Sequence, residues 1–454
     1  MTFVTRNPAT GEPIETFSYA TLAEVGRRLD GARAGQSAWR DVALDERGAV
    51  LREVGKHLRA ERDGLADAAT REMGKPIAQA RAEIEKCAMC CDYFADNAST
   101  LLAGVAAPSP ARRSYVAFRP LGVVLAIMPW NYPYWQVFRA AAPALMAGNA
   151  VVLKHAENTT RCALEIERLF LEAGAPPDLF ATILYSNEAT DELITDERIA
   201  AVTLTGSERA GIAVGSAAGA ALKPSVLELG GSDAFIVRAD ADLDATAKSA
   251  VTARFQNNGQ SCIAGKRFIV VDAAYDAFVE RFATNASALV VGDPAAESTG
   301  LGPVARGDLR DTMHAQVRAS IDAGARLVLG GTARGGAGYF YDATIVADVV
   351  PGMRMFDEEV FGPAAAVIRA RDDDHAIELA NASTFGLGGS VWTADVGAGE
   401  RLAARLECGC AFVNAVVASD PRVPFGGVKR SGYGRELAAF GIREFVNIQT
   451  VWIG

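Results

Sequence analysis

The chain has 454 residues, of which half are hydrophobic and 22% are charged, and its formal net charge is −10. This length provides for roughly three domain-sized units, and the composition excludes intrinsic disorder as the state of the chain. The acidic balance argues against nucleic acid or an anionic membrane as the main partner, but it is compatible with a local basic pocket for a small anion.

The cysteines indicate a reducing compartment. There are seven, an odd number, and no secretory signal precedes them, so we expect free thiols in a cytoplasmic protein. Cys87 and Cys90 form a Cys-x-x-Cys pair within a helical pattern, and no second pair follows at zinc spacing. We therefore interpret both as helix core residues and expect no metal site.

Three helices are predicted in the N-terminal part, where apolar residues recur at three- and four-residue spacing: residues 21–38, 44–62 and 77–95. They would form one outer layer of helices, to which the sequence up to about residue 97 belongs. A short alternating strand is predicted at residues 112–118. No residue is charged between positions 120 and 138, but prolines and polar residues interrupt this stretch, which therefore predicts a buried strand and a polar turn rather than a membrane span.

Strand and helix patterns then alternate, which is typical of a parallel sheet covered by helices. The first unit contains predicted strands at 122–128, 150–154 and 201–205 and predicted helices at 135–146 and 161–173. A second α/β unit begins near residues 230–231, with predicted strands at 235–237, 268–271, 326–329 and 364–368 and predicted helices at 275–291 and 375–381. The last predicted strand, 445–453, has no neighbour in sequence and is expected to pair with the segment near Arg112 or with another subunit.

Polar residues follow three predicted strands of the first unit, in the segments Pro129-Trp130-Asn131, Lys154-His155-Ala156-Glu157 and Thr205-Gly206-Ser207. In an open parallel sheet, ligands bind outside the carboxyl ends of the strands, so these segments would face one crevice. Singly, such residues are more often solvated loop charges and plain turns. Their shared position at strand ends favours a cofactor site.

The chemistry of these residues suits a dinucleotide. Ser207 can cap the following helix while Gly206 lets a phosphate approach the positive helix N-terminus. Lys154 offers a cation to phosphate or ribose, and Glu157 can accept from ribose hydroxyls. The Gly-x-Gly-x-x-Gly fingerprint and the Lys-Ser/Thr of a P-loop are absent, which disfavours an orthodox Rossmann enzyme and an ATPase.

The candidate nucleophile is Cys262. Asn257-Asn258-Gly259 is strong turn chemistry, and residues 264–271 become apolar and β-branched, so Cys262 lies where a loop leads into a buried strand. Backbone N–H groups there can point at a substrate oxygen, and the thiol can attack a carbonyl carbon. A single cysteine is, however, more often an inert core residue.

A candidate general base is Glu228, which apolar residues and glycines flank and whose pKa burial would raise. The alternative is a salt-bridged carboxylate at a strand end. The side-chain amide of Asn131 and a backbone N–H are candidate donors to an oxyanion. None of the four histidines is next to these motifs, so a Cys-His hydrolase has no obvious base.

Six motifs together resemble the aldehyde dehydrogenase family, in particular its short bacterial succinate-semialdehyde dehydrogenases, over essentially the whole chain. They are Pro129-Trp130-Asn131-Tyr132-Pro133, Leu204-Thr205-Gly206-Ser207, Leu227-Glu228-Leu229-Gly230-Gly231, Gly259-Gln260-Ser261-Cys262, Glu358-Glu359-Val360-Phe361-Gly362-Pro363 and Pro424-Phe425-Gly426-Gly427.

The resemblance implies that Cys262 is the nucleophile, that Glu228 is the general base, and that Asn131 and the Cys262 N–H form the oxyanion hole. It implies cofactor contacts from Met128, Pro129, Trp130, Lys154, His155, Glu157, Gly206, Ser207, Leu229, Glu359 and Phe361. The residues that it implies at the substrate are Trp135, Arg139 and Ser419.

The resemblance also implies an α/β fold with two parallel-sheet domains and a β-hairpin arm. Residues 1–111 and 121–230 would form the cofactor-binding domain, and residues 231–432 the catalytic domain. Residues 112–120 and 433–454 would form bridging segments that pair subunits into a homodimer or a dimer of dimers.

Two positions depart from the family pattern. Several relatives carry a second cysteine two residues after the nucleophile, where this chain has Ala264, so no disulfide switch is expected. Some relatives place an arginine six residues before the nucleophile to hold the substrate carboxylate, and this chain has Gln256 there. A substrate carboxylate would therefore contact fewer charges.

Arg139 lies about two helical turns beyond Asn131, among apolar residues. A buried guanidinium without a partner is costly, so an anionic substrate could be its partner. The alternative is a structural ion pair with a nearby carboxylate.

We therefore expect an NAD(P)-dependent dehydrogenase that converts a small acidic aldehyde, succinate semialdehyde, to its acid through a cysteine thiohemiacetal and a thioester. NAD is the preferred cofactor because Glu157 would repel the 2′-phosphate of NADP. NADP is the second choice. A neutral aliphatic aldehyde is the alternative within the class. A cofactor-independent thiol hydrolase and a non-catalytic structural relative are the alternatives outside it.

Overall fold

The computed structural model describes residues 1–454. The N-terminal part contains a hairpin, four helices and two further strands: β1 (Thr2–Arg6), β2 (Pro13–Ser18), α1 (Leu22–Trp39), α2 (Leu44–Ala60), α3 (Arg62–Met73), α4 (Ile77–Leu101), β3 (Val105–Ala106) and β4 (Arg113–Pro120). A capping box begins α1, in which the Thr21 hydroxyl accepts from the Glu24 N–H and the Glu24 carboxylate accepts from the Thr21 N–H. The three predicted helices are present, but the prediction of an all-helical N-terminus is wrong, because β1 and β2 pair with each other there.

The first α/β unit follows, with the elements β5 (Val123–Met128), α5 (Trp135–Met146), β6 (Ala150–His155), α6 (Thr160–Glu172), β7 (Phe180–Thr182), α7 (Thr190–Thr195), β8 (Ile199–Thr205), α8 (Glu208–Ala220) and β9 (Ser225–Glu228). These strands form a parallel sheet in the order β9-β8-β5-β6-β7. The chain order reverses between β5 and β8, so the carboxyl ends of these two central strands border the crevice where open sheets bind ligands.

The second α/β unit contains β10 (Asp233–Val237), α9 (Leu243–Phe255), β11 (Gly265–Val271), α10 (Asp272–Ser287), α11 (Gly307–Asp322), β12 (Arg326–Leu329), β13 (Thr344–Ala347), α12 (Arg354–Asp357), β14 (Ala364–Ala370), α13 (Asp373–Asn381), β15 (Phe385–Gly386), β16 (Gly388–Trp392), α14 (Val396–Ala403) and β17 (Cys410–Val413). Its sheet has the order β12-β13-β14-β11-β10-β16-β17 and is parallel except for β12. Alternate residues of β10 belong to two different hydrophobic cores, with Ile236 in one and Phe235 in the other, so helices cover both faces.

The chain ends with β18 (Val428–Lys429), β19 (Gly432–Tyr433), α15 (Ala438–Glu444) and β20 (Val446–Ile453). Strand β19 joins the first sheet beside β9. Strand β20 pairs antiparallel with β4, in a register that runs from Val446 opposite Pro120 to Ile453 opposite Arg113. The predicted pairing of the C-terminal strand with the segment near Arg112 is therefore confirmed. None of the helices is both long and apolar enough to cross a bilayer.

Candidate active site

The loop that carries Cys262 lies between a short 3₁₀ turn, Gln256–Gly259, and β11. Asn257 and Asn258 adopt left-handed backbone conformations, with φ of 55° and 57°, which asparagine tolerates better than most residues. The Asn257 side-chain amide donates to the carbonyls of Asn131 (2.8 Å) and Gln260 (2.9 Å). This residue therefore ties the cysteine loop to the turn that follows β5.

Lys266, four residues after Cys262, fixes the same loop from the other side. Its ammonium donates to the carbonyl oxygens of Ser261 (2.8 Å) and Cys262 (2.7 Å) and lies 3.1 Å from the Glu359 carboxylate. Lys266 is not among the site residues predicted from the sequence. Its signal was a lysine at the start of an otherwise apolar strand, where a buried cation requires nearby acceptors.

Burial of the Cys262 thiol favours its protonated form. Burial raises the pKa of Cys262 to about 12, while the positive charges of Arg139 and Lys266 act to lower it. The proton must therefore leave the thiol before attack, and any cation that approaches the thiol favours that step.

Cys262 opens into a cavity of about 240 Å³ between α4, α5 and the loop before β18, whose walls include Lys86, Trp135, Arg139, Gln256 and Ser419. Three of these are the residues expected at the substrate, namely Trp135, Arg139 and Ser419. The Ser419 hydroxyl accepts a hydrogen bond from the Trp135 indole N–H at 2.9 Å.

The candidate oxyanion donors are the side-chain amide of Asn131 and the backbone N–H of Cys262. The Asn131 side-chain amide donates one N–H to the Gln260 carbonyl (3.0 Å), and its oxygen accepts from the Gln136 amide (3.1 Å). Its second N–H has no acceptor in the protein, and the backbone N–H of Cys262 also donates to no protein group. Two donors of this loop region are thus free to bind an oxygen.

Glu228 ends β9 and is not among the residues that line the cavity. Both carboxyl oxygens are buried without a hydrogen-bond partner. Burial and the nearby Glu436 carboxylate raise the pKa of Glu228 well above its usual value, and Arg139 opposes this rise. As a general base, this side chain would have to lose its proton and turn toward Cys262.

Of the two alternatives for Arg139, a substrate anion or a structural ion pair, the structure shows an ion pair with a carboxylate of the protein. The Arg139 guanidinium forms this ion pair with Glu436, and both side chains are only 3% exposed. It also donates to the Thr205 hydroxyl (3.2 Å) and lies over the Phe425 ring. The partner carboxylate belongs to the C-terminal segment, so local sequence context could not reveal it. Arg139 still borders the cavity, but Glu436 offsets its charge.

The cofactor candidates lie at the carboxyl edge of the first sheet, after β5, β6 and β8. The Ser207 hydroxyl caps α8 by accepting from the Ala210 N–H. Lys154 contacts the Asn187 side-chain oxygen and has no carboxylate within ion-pair distance, and burial lowers its pKa. A cation, a carboxylate and a helix N-terminus at one sheet edge form a donor set that suits a dinucleotide.

Glu157 is held by Tyr19, which is not among the site residues predicted from the sequence. The Tyr19 hydroxyl, just after β2, donates to the Glu157 carboxylate at 2.7 Å. The N-terminal hairpin therefore reaches the candidate ribose site. No local signal marks this contact, because the two residues are far apart in sequence.

Both ring nitrogens of His155 have hydrogen-bond partners within the protein. One ring nitrogen is 3.0 Å from the Pro133 carbonyl oxygen and the other is 2.9 Å from the Thr159 hydroxyl. Burial lowers the pKa of His155 to about 4, so the ring is neutral at physiological pH. Only its backbone remains for the cofactor contact that the resemblance implies.

The remaining cofactor candidates surround the junction of the two units. The Trp130 and Phe361 rings meet edge to face at 5.7 Å. Gly231 donates its N–H to the Glu359 carboxylate (3.0 Å), and the absent side chain of Gly230 leaves room for that carboxylate. Met128 and Leu229 are buried, and the Leu229 N–H donates to the Ser431 carbonyl.

Comparisons with known proteins agree with this arrangement. The model of the aldehyde dehydrogenase family matches residues 1–451. The chain is 50% identical over 446 residues to Sad of Escherichia coli (strain K12), named an NAD(P)+ succinate semialdehyde dehydrogenase, over 98% of this chain and 96% of that relative. It is 48% identical to a probable NADP+ succinate-semialdehyde dehydrogenase of Synechocystis sp., over 100% of both chains. The crystal structure of succinic semialdehyde dehydrogenase from Streptococcus pyogenes in complex with NADP+ matches with a TM-score of 0.97 at 38% identity, over 99% of each chain.

Proposed function

Because the chain belongs to the aldehyde dehydrogenase family, we propose that it oxidises succinate semialdehyde to succinate with a nicotinamide dinucleotide as the electron acceptor. The observation that carries this proposal is the cavity in which the Cys262 thiol shares the walls with basic and hydroxyl side chains. A thiol suits the aldehyde end of such a substrate, and cations suit its carboxylate end. The relatives named as succinate-semialdehyde dehydrogenases support the same substrate.

The chemistry begins at Cys262, whose thiolate forms a C–S bond with the carbonyl carbon. The resulting oxyanion would be bound by the free amide N–H of Asn131 and the backbone N–H of Cys262, each worth about 3–4 kcal/mol in the transition state. The bound nicotinamide supplies the acceptor for the hydride that leaves this carbon. A thioester on Cys262 remains.

Hydrolysis of the thioester requires an activated water molecule. We assign this task to Glu228, whose raised pKa makes its carboxylate a stronger base than an exposed glutamate. Glu228 takes a proton from water, the hydroxide adds to the carbonyl carbon, and the C–S bond breaks to release the carboxylate and the thiol. Burial and the neighbouring Glu436 raise the pKa of Glu228, and Arg139 opposes this rise.

The test is a kinetic panel with purified protein, both dinucleotides, succinate semialdehyde and butanal, followed by the absorbance of the reduced nicotinamide. We expect the higher kcat/KM with succinate semialdehyde. A higher value with butanal would support the neutral-aldehyde alternative instead. No reduction of nicotinamide with either aldehyde would contradict the proposal and favour the thiol hydrolase.

We further propose NAD as the preferred cofactor, although several relatives are named for NADP. The Tyr19 hydrogen bond holds the Glu157 carboxylate in place, and a fixed carboxylate repels a 2′-phosphate. We expect Glu157→Ser to shift the ratio of kcat/KM toward NADP by about tenfold or more, because the like-charge repulsion is lost.

The matched control for this change is Glu188→Ser, which removes an exposed carboxylate that acts on the same Lys154 ammonium from farther along the chain. This control should leave the NAD-to-NADP ratio nearly unchanged. Equal shifts in both variants would mean that Glu157 acts only through general surface charge.

We also propose that the arm formed by β4 and β20 joins two subunits. Strand β20 is the edge of its sheet, and two of its apolar side chains are largely exposed, Ile448 at 64% and Trp452 at 58%. An exposed apolar edge strand is a template for pairing with another chain. Sedimentation equilibrium should therefore give two or four times the mass of one chain, and a monomer would contradict this proposal.

All seven cysteines are free, which supports a reducing, cytoplasmic location.

A further inference from the structure

Lys86, which is not among the site residues predicted from the sequence, reaches the cavity from α4. The ammonium of Lys86 donates to the Ser419 hydroxyl at 3.0 Å and lies 4.3 Å from the centre of the Trp135 ring. Both neighbours are residues expected at the substrate. The lysine therefore shares the wall of the cavity that would face the far end of a bound aldehyde.

Lys86 is the basic residue of this cavity without an acidic partner. Three basic residues line the cavity. Arg139 pairs with Glu436, and Lys75 pairs with the buried Glu83. No carboxylate lies within ion-pair distance of Lys86, and the nearest acidic residue in sequence to Ser419, Asp420, pairs with Arg422.

The surroundings leave this ammonium short of negative charge. Burial and the positive charge of Arg139 lower the pKa of Lys86 to about 8. Its acceptors are one hydroxyl and the face of an indole, which bind a cation less strongly than a carboxylate does. An anion that enters the cavity would therefore gain a charge-assisted hydrogen bond and would stabilise the ammonium.

The Ser419 hydroxyl is arranged to assist. Its oxygen accepts from both Lys86 and the Trp135 indole, so its own O–H remains free to donate, and it has no acceptor in the protein. Gln256, which also lines the cavity, offers an amide but no charge. The positive charge that Gln256 does not supply is thus available from Lys86.

We propose that Lys86, with the Ser419 hydroxyl, binds the distal carboxylate of an acidic aldehyde and so sets the preference of the site for acidic over neutral substrates. This inference rests on the proposed function and names the residue that determines its specificity. Arg139 has a secondary part in charge recognition, because Glu436 already offsets its charge. A neutral aldehyde gains nothing from Lys86, so the residue affects only one class of substrate.

The main test is Lys86→Met, which keeps the length of the side chain and removes its charge. We expect kcat/KM for succinate semialdehyde to fall about tenfold or more, mainly through KM, as for the loss of one charge-assisted contact. The values for butanal should stay within about twofold. Lys86→Arg should recover most of the loss, because it restores the positive charge.

Lys56→Met is the matched control, since the same substitution at an exposed position of α2 should leave both substrates unaffected. Lys86→Gln provides a second neutral variant if thermal unfolding shows that Lys86→Met does not fold. Equal losses on both aldehydes would make Lys86 a structural residue and overturn the proposal. An unchanged KM for succinate semialdehyde would overturn it as well.

A dead-end ligand separates this inference from the proposed function. Succinamate carries the distal carboxylate but an amide in place of the aldehyde, so it should inhibit butanal oxidation competitively in the unaltered protein. We expect its Ki to rise about tenfold or more in Lys86→Met, while the Ki of butyramide stays constant. Inhibition by succinamate that is equally strong in both proteins would overturn the role of Lys86 and leave the proposed function intact. If the unaltered protein neither prefers succinate semialdehyde nor binds succinamate, that result contradicts the proposed function itself.

The pH dependence of this inhibition gives an independent readout. The charged and titratable groups that act on Lys86 are Arg139 on α5, Asp420 in the loop before β18, and the thiols of Cys87 and Cys90 on its own helix. The ammonium is present below its pKa, so succinamate affinity should fall as the pH rises through about 8. Lys86→Arg should remove this dependence, because a guanidinium keeps its proton. A persistent dependence in Lys86→Arg would assign the titration to another group and count against the proposal.

Discussion

Cys262→Ala is expected to abolish aldehyde oxidation, with a fall in kcat of at least about 10⁴-fold, while the affinity for the nicotinamide dinucleotide stays nearly unchanged. An aldehyde carbon has no electron pair to expel a hydride until a nucleophile has added to it, and Cys262 is the only thiol in the lining of the cavity. The candidate cofactor residues lie at the edge of the first sheet, so binding there does not depend on the thiol.

Steady-state turnover and dinucleotide binding by fluorescence measure the two halves of this prediction. Cys408→Ala is a suitable control because its thiol is also partly buried, and burial likewise raises the pKa of Cys408 to about 12. That variant should retain full turnover. Substantial turnover in Cys262→Ala would remove the covalent mechanism.

Glu228→Gln is expected to separate the two half-reactions. An amide cannot take a proton from water, so release of the thioester should slow by about 10²–10⁴-fold, while the first hydride transfer proceeds. Rapid mixing should then show one equivalent of reduced nicotinamide per site, followed by very slow turnover. Mass spectrometry of the quenched protein should find the acyl group on Cys262.

The pH profile gives a second readout for Glu228. Burial and Glu436 raise the pKa of Glu228, so its basic form is lost as the pH falls through that raised value, and kcat should fall with it. The slow turnover of Glu228→Gln should lack this step. A variant that loses the first turnover but deacylates rapidly would contradict the assignment.

The fold class was accessible from sequence because its signals are local. Apolar runs bounded by turns predicted β5, β6 and β8 to within about two residues, and helix α5 at both ends. The short N-terminal hairpin escaped because the long helical patterns on its C-terminal side dominate that region. The hairpin contributes to the candidate cofactor site only through a tertiary contact, in which Tyr19 donates to Glu157.

In the cysteine loop, too, the sequence predicted the local conformation but not the tertiary contacts. The sequence Asn257-Asn258-Gly259 predicted a turn because these residues tolerate positive φ, and the structure confirms the left-handed conformations there. The sequence could not indicate that Lys266 donates to the carbonyls of the loop and pairs with Glu359.

The sequence by itself determined the order of strands and helices, the turn that carries Cys262 and the strand ends that carry the cofactor candidates. These depend on φ preferences and on hydrophobic periodicity, which act over a few residues. Only the tertiary structure decided which charges are neutralised. Arg139 meets Glu436 and Lys86 meets Ser419 across large sequence separations, because the C-terminal segments fold back over α4 and α5. The free energy of a charged side chain depends on every group within a few ångströms, and the fold alone brings those groups together.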